Sequence, residues 1–190
     1  AGDDVTVNAT GTFTTATAAT GKTVTLSSSY SGNDVGNYSI IDQATTLATI
    51  AQKTVTLTGS TGVTRAYDGT TAMASGVTGY GTLSGVLNPD VVSVTGSAAF
   101  AAPGAGAQAV QQGTAALSGA DMGNYVLAWV DGSGTISKAS LVVTASNASK
   151  TYDGLAYSGG NGVSYSGLVH GETSAVLGGA QERRKGAERE

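Results

Sequence analysis

An internal repeat constrains the fold of this chain more than any other feature. The segment Gly36-Asn37-Tyr38-Ser39-Ile40 returns as Gly123-Asn124-Tyr125-Val126-Leu127, 87 residues later. A second marker, Tyr67-Asp68-Gly69, returns as Tyr152-Asp153-Gly154, 85 residues later. A period of about 85 residues is too long for the rung of a solenoid and suits a small β-module.

The two markers divide the chain into repeats. Lys53 and Lys138 take matching positions and serve as natural boundaries. The sequence thus predicts four segments. They are the C-terminal part of a first repeat (1–52), a complete repeat (53–138), the start of a related repeat (139–179) and a tail (180–190). Because the chain opens on Ala1 with no leader-like segment, we expect it to be a piece of a longer protein.

The tail differs from the repeats in composition. Residues 182–190 hold seven of the 22 charged residues. This clustering predicts a solvated tail outside the repeats, with a short partner-binding helix as the alternative.

Period-2 alternation predicts that the chain is all-β. Apolar residues alternate with Thr, Ser or other small residues, as at Val24/Leu26 and Val55/Leu57. Turn dipeptides such as Asp68-Gly69 bound these strands. We therefore expect small β-sandwich-like modules, with β-grasp-like modules as the alternative. Residues 98–112 are rich in Ala and Gly and are compatible with a loop or an edge strand. The continuous apolar run Leu141-Val142-Val143 is compatible with a strand buried on both faces.

Composition excludes several classes of function. The chain has no Cys, one His and a net charge of −4, so it offers no disulfide framework, thiol nucleophile or zinc cluster. Only five basic residues precede position 180, which leaves no electrostatic footprint for nucleic acid. No apolar run is long enough for a membrane helix, so we expect no membrane insertion.

The repeated aspartates are the strongest candidates for chemistry. Asp68 and Asp153 suit a turn in which Asp accepts backbone hydrogen bonds and Gly takes a positive φ; the alternatives are a calcium ligand or a catalytic acid. Asp34 and Asp121 precede the Gly-Asn-Tyr segments, where a tight turn would feed a strand whose Tyr packs inward. A weak calcium site is the alternative there, because Asp and Asn oxygens lie within four residues.

Other single residues suggest little. His170 is expected in a surface loop and Trp129 in the core, while Tyr30, Tyr80 and Tyr157 are isolated candidates for stacking on sugars. No nucleophile and base pair can be assembled. The sequence therefore predicts no catalytic, cofactor-binding or metal-binding residues and no cofactor, and we expect the protein not to be an enzyme.

Three stretches carry a resemblance to a known family. They are Val63–Thr71, Leu117–Tyr125 and Gly134–Lys138. With these, the complete unit resembles the YDG-type repeat of large Gram-negative surface adhesins, the filamentous-haemagglutinin-like exoproteins. Lys150–Gly154 together with Gly167–Thr173 is similar to the glycine-rich MBG repeats that often follow.

The resemblance implies an exported protein at the bacterial cell surface, outer-membrane-associated or secreted, that serves in attachment and biofilm. It implies tandem modules whose partners are neighbouring repeats and surface glycans or proteins of host or bacteria, and it implies no catalytic residues. The absence of Cys suits such a chain, since a premature disulfide would obstruct export.

We expect a stalk or spacer, because no set of residues converges into a site. The alternative is a glycan-binding or calcium-dependent, lectin-like module. An ice-binding solenoid would need shorter Thr repeats. A polysaccharide-cleaving enzyme would need two facing carboxylates, for which Asp68 and Asp121 are the repeat-matched acids of the complete unit.

Overall fold

The computed structural model describes residues 2–159 and 162–177, and these residues form strands with three short 3-10 turns. The prediction of an all-β chain is confirmed. The strands are β1 Thr6–Phe13, β2 Ala19–Ser31, β3 Thr45–Ile50, β4 Lys53–Thr58, β5 Thr61–Ala66, β6 Ser93–Thr95, β7 Ala99–Phe100, β8 Gly106–Gln111, β9 Ala116–Ser118, β10 Tyr125–Val130, β11 Gly132–Ser137, β12 Val142–Ala145 and β13 Val163–Ser166.

Strands β1, β2 and β3 form an antiparallel sheet in that order. The alternation of β2 places Lys22 and Val24 on a buried side while Thr23 between them is exposed. All of β1 is exposed, so this sheet is covered on one face at most.

Two parallel ladders form within residues 53–138. β4 pairs with β10 from Lys53↔Tyr125 to Thr58↔Val130, and β5 pairs with β11. β11 also pairs antiparallel with β8, which in turn pairs with β7. Residues 98–112, predicted as a loop or an edge strand, therefore contain the internal strand β8.

The chain divides into two compact units, and each has its own core. The first unit takes residues 1–58, 81–96 and 114–130, and its core is Val24, Val55, Leu57, Ala115 and Tyr125. The second takes residues 59–80, 97–113 and the described residues from 131 to 177, and its core is Ala98, Phe100, Val110 and Ile136. Few large side chains are buried, as expected from a chain in which 29 of 190 residues are glycine.

Strands β12 and β13 form an antiparallel pair in the third segment. The prediction that Leu141-Val142-Val143 is buried on both faces is wrong, because these side chains are 39%, 55% and 55% exposed. Among the described residues β12 pairs with β13 alone, and its valine side chains are exposed. The predicted charged tail, 180–190, lies outside the described residues.

Strand pairing repeats with the sequence. β1 and β2 pair in the register Thr6↔Ser31, and β6 and β9 pair in the register Ser93↔Ser118. Both partners are shifted by 87 residues, the offset of the Gly-Asn-Tyr marker. Equal registers at equal offsets indicate that the marker turn and its flanking hairpin form one structural unit that occurs twice.

Candidate functional site

In each Gly-Asn-Tyr turn an aspartate forms two hydrogen bonds with the backbone of a second segment of the chain. We call this arrangement the clamp. Asp34 accepts the backbone N–H of Asp4 at 2.8 Å, and its own N–H donates to Asp4 O at 3.1 Å. Asp121 accepts the N–H of Val91 at 2.8 Å and donates to Val91 O at 3.2 Å. Each carboxylate is therefore used to fix the start of the hairpin against the turn that ends it.

A glycine before each aspartate allows this clamp to close. Gly32 and Gly119 have φ of 122° and 108°, in the region that L side chains avoid. A Cβ at Gly119 would lie 2.4 Å from Val91 O, the oxygen that Asp121 binds. The two backbones can approach this closely only where the side chain is absent.

A tyrosine and a second acid complete the clamp. The hydroxyl of Tyr125 donates to Asp90 at 2.6 Å and accepts the N–H of Leu87 at 3.0 Å. Tyr38 donates to Asp3 in the same way. In both cases the bond to the carboxylate raises the pKa of the tyrosine, since ionisation would set two negative charges against each other.

The two copies of the clamp differ in burial. Tyr125 is 4% exposed and starts β10, as predicted for a Tyr that packs inward from the turn. Tyr38 is 50% exposed, and residues 38–44 form no strand, so the same prediction is wrong for the first copy. The difference follows from pairing: β10 has β4 as its partner, and the segment after Asn37 has no strand partner in the described residues.

The second Gly-Asn-Tyr turn also contacts two residues of the segment 1–52. Asn124 Oδ1 accepts the backbone N–H of Ala18 at 2.9 Å, and Gly123 O accepts Gln52 Nε2 at 2.9 Å. Ala18 lies in the loop between β1 and β2. The turn thus connects residues 1–52 with the start of β10.

The Tyr-Asp-Gly turn is held by a different aspartate. Asp68 accepts the N–H and the hydroxyl of Thr70 at 2.9 and 2.8 Å and forms an ion pair with Arg65. The bonds from Thr70, with help from Arg65, lower the pKa of Asp68 to about 2. Arg65 lies with its guanidinium 5.3 Å from the centroid of the Phe100 ring, so the turn is fixed to the core of its unit.

The same turn recurs in the third segment. Asp153 accepts the N–H of Leu155 at 3.0 Å and pairs with Lys150 Nζ at 2.7 Å, and Lys150 lowers its pKa. Lys150 stands 85 residues after Arg65, as Asp153 does after Asp68. Both carboxylates take the structural role given first in the sequence analysis, in which the Asp accepts hydrogen bonds within its own turn.

The hydrogen bonds and the ion pair of Asp68 predict that the stability of the fold depends on pH. Its pKa of about 2 lies below that of an unfolded Asp, so its contribution to stability is present above about pH 4 and is lost as pH falls toward 2. We expect carboxyl NMR to give a pKa near 2, and D68N to show a weaker loss of stability than the wild type between pH 4 and 2. A pKa of about 4 for Asp68 would contradict the bonding in this turn.

The remaining candidates do not converge within their units. His170 is exposed at φ 53°, as predicted for a loop, and its side chain lies against Gly69. Trp129 is half-buried, and Tyr157 is 48% exposed. Tyr30 donates to Asp42. In the described part of the chain, no three His, Asp or Glu side chains are grouped so that they would hold a metal ion.

Two features of the site were not identified from the sequence. One is the acid that receives the tyrosine hydroxyl, although Asp3 and Asp90 share the 87-residue offset and could have been found by it. The other is Lys22, whose buried ammonium donates to Thr15 Oγ1 and to the carbonyl and hydroxyl of Thr17 at 2.5–3.0 Å. No sequence pattern marks this lysine as the group that organises the β1–β2 loop.

The described residues form an all-β fold in which these clamps hold the turns. The family model of the YDG domain matches residues 1–47 and 51–133, so the chain belongs to the YDG domain family. No curated protein and no solved structure matches the chain. None of the described helices is long and apolar enough to cross a membrane.

Proposed function

We propose that this chain is a structural segment of an extracellular bacterial surface adhesin, built of tandem β-repeats of about 85 residues that act as a stalk or spacer. In this role it supports cell attachment and biofilm by carrying more distal parts of its parent protein. The third segment, 139–179, is proposed to be the start of an MBG-like repeat.

The observation that carries the proposal is the closure of strand ladders within repeats. In the described residues every ladder joins strands from within 1–52, within 53–138 or within 139–177. Ladders that close in this way are expected of modules that fold as units and are added in series.

In the described residues, the side-chain hydrogen bonds between the proposed repeats join neighbouring repeats. The first junction uses Asn124 and Gly123, and the second uses the hydroxyl of Tyr67, which donates to Glu172 at 2.5 Å. Nearest-neighbour contacts are typical of extended repeat arrays, in which each module touches only the next. A net charge of −4 supports solubility of such arrays.

The candidate functional groups favour a spacer over an enzyme or a binder. Asp34, Asp68, Asp121 and Asp153 are each bonded to backbone N–H groups of their own turns or hairpins. We therefore assign these carboxylates to folding, with no catalytic or calcium-binding role. The absence of Cys is consistent with the proposed export to the cell surface.

Binding measurements test the assignment. The folded chain is tested against immobilised glycans and matrix proteins, once with calcium and once with EDTA. We expect no saturable binding in either condition. Saturable binding to one class would replace the spacer with an adhesive repeat, and its loss in EDTA would assign calcium to the turns of Asp34 and Asp121.

The junction gives a prediction about stability. We expect N124A to lower the free energy of unfolding by roughly 0.5–1.5 kcal/mol, because the N–H of Ala18 loses its acceptor. Asn37 is the matched control, since it stands 87 residues earlier and bonds only within its own turn, to Asp34 at 3.4 Å. Equal urea midpoints for N124A and N37A would contradict a junction role for Asn124.

A further inference from the structure

We propose that Lys22 is a positioning residue, which holds the loop between β1 and β2 in the conformation that binds the Gly-Asn-Tyr turn of the next repeat. Gln108 has the same role for the matching loop of the complete repeat. The β1–β2 loop, residues 14–18, is thereby the surface that one repeat presents to the next. This inference deepens the proposed function and rests on it, since it takes residues 1–52 and 53–138 as neighbouring repeats.

The ammonium of Lys22 is bonded only to the loop. Its Nζ donates to Thr17 O at 2.7 Å, to Thr17 Oγ1 at 3.0 Å and to Thr15 Oγ1. An ammonium group has three protons, so these three bonds use its whole donor capacity. Lys22 is 9% exposed, and no carboxylate in the described part of the chain pairs with it. Because a buried charge is costly without partners, the loop oxygens and the ammonium hold each other in place.

A single peptide group connects Lys22 to the Gly-Asn-Tyr turn. The carbonyl of Thr17 accepts the ammonium, and the N–H of Ala18 in the same peptide group donates to Asn124 Oδ1 at 2.9 Å. The C=O and N–H of a planar trans peptide point in opposite directions. Fixing Thr17 O therefore also fixes the direction in which the N–H of Ala18 points. A cation on the carbonyl also polarises the peptide and strengthens its N–H as a donor.

Close packing does not hold the loop against the turn. A cavity of about 390 Å³ is lined by Ala16, Thr17 and Ala18 of the loop and by Asn124 and Tyr125 of the turn. Groups that face a cavity lack part of the van der Waals contact that would fix their orientation. The direction of the loop therefore depends on its hydrogen bonds, and those from the Lys22 ammonium are the ones that set it.

The same bond occurs in the complete repeat, made by a different side chain. Lys22 lies opposite Ala48 in the β2–β3 ladder, and Gln108 lies opposite Gly134 in the β8–β11 ladder. Both partners are shifted by 86 residues. Gln108 Nε2 donates to Gly104 O, the carbonyl of the matching loop, at 2.9 Å. Since a charged and a neutral side chain bind the same loop carbonyl, the bond itself is the shared feature of this position.

The matching loop of the complete repeat also borders the segment that follows it. Gly104 lines a cavity of about 430 Å³ together with Val169 and Glu172 of the third segment. The cavity beside the β1–β2 loop is lined by the corresponding residues of the complete repeat, Leu87 and Asp90, which form the same turn hydrogen bond. Both loops thus lie beside the same part of the following segment.

Three substitutions in the whole chain test the role of Lys22. K22M keeps the apolar stem and removes the donor, whereas K22Q supplies the amide donor that Gln108 uses in the complete repeat. K138M is the control, because it removes the same charge from an exposed lysine of the other unit. Circular dichroism verifies that each variant is folded.

Amide exchange measured by NMR separates positioning from general stability. The amide of Ala18 reports the contact with Asn124, and the amide of Thr56, which donates to Ser84 O at 2.9 Å, reports the stability of the same unit. In K22M we expect Ala18 to exchange about tenfold faster, as for the loss of roughly one hydrogen bond, with Thr56 unchanged. K22Q should recover most of this protection, and K138M should match the wild type.

A second background tests whether Lys22 acts through Asn124. In N124A the N–H of Ala18 has lost its acceptor, so adding K22M should not accelerate its exchange further. Ala18 exchange that is unchanged in K22M, equal acceleration of Ala18 and Thr56, or no recovery in K22Q would overturn the proposal.

Q108L tests the matching position independently. We expect it to shift the amide signals of Gly104 and Ala105 and to leave Ala18 unaffected, because Gln108 binds only the loop of its own repeat. Unchanged signals of Gly104 and Ala105 would overturn the shared role. These results are separate from the test of the proposed function, since saturable ligand binding would refute the spacer and leave the exchange of Ala18 as it is.

Discussion

F100A is expected to lower the free energy of unfolding by about 3–5 kcal/mol, the usual cost of removing a buried aromatic side chain. Phe100 is 2% exposed and its ring lies against the guanidinium of Arg65. A Cβ placed on Gly134 would come within 2.8 Å of this ring, so the packing around it is tight and a cavity would not close easily. Urea denaturation followed by circular dichroism measures the loss.

The repeat supplies the control for this substitution. Phe13 is the same residue 87 positions earlier and is 37% exposed, because β1 is covered on one face at most. F13A should therefore cost about 1 kcal/mol or less. Similar losses for F13A and F100A would show that the burial assigned to the two strands is incorrect.

G119A is expected to destabilise the chain by roughly 1–3 kcal/mol or more, because it combines two costs. Alanine is strained at the φ of 108° that Gly119 adopts, and its Cβ would lie 2.4 Å from Val91 O. Relief of that clash would break the clamp that Asp121 makes with Val91. The unfolding free energy and the amide exchange rate of Val91 both report the effect.

Gly123 is the control for Gly119, since it lies in the same turn, has no positive φ and has open space where a Cβ would be placed. G123A should change stability by a few tenths of a kcal/mol. If G119A proved as mild as G123A, the close approach of the two backbones at the clamp would be wrong.

The fold class and the turns could be predicted because they depend on local sequence. Alternation of apolar and small residues specifies strands, and Asp-Gly and Gly-Asn-Tyr segments specify turns. The aspartates of both turn types take the structural role that the sequence favoured, with Asp68 and Asp153 bonded to the residue two positions on. Membership of the YDG family follows from the same motifs.

The parallel ladders could not be predicted, because their partners are far apart in sequence. Lys53 pairs with Tyr125, and the local sequence of neither strand identifies the other as its partner. The predictions that Tyr38 and Leu141 are buried were wrong for the same reason. The local pattern at both residues is that of a buried strand, but burial needs a partner strand that the described residues do not provide. Lys22 is buried only because the β1–β2 loop bends over its ammonium.

The most direct test of the account is a comparison of residues 53–138, produced alone, with the whole chain by amide NMR. A self-contained repeat predicts dispersed signals that overlay those of the whole chain, except near Asn124, whose partner Ala18 is absent, and near Tyr67, which loses Glu172. Collapsed signals from 53–138 would show that the ladders need neighbouring segments to form. In that case tandem repeats would not be units of folding, and the proposed spacer would have no modular basis.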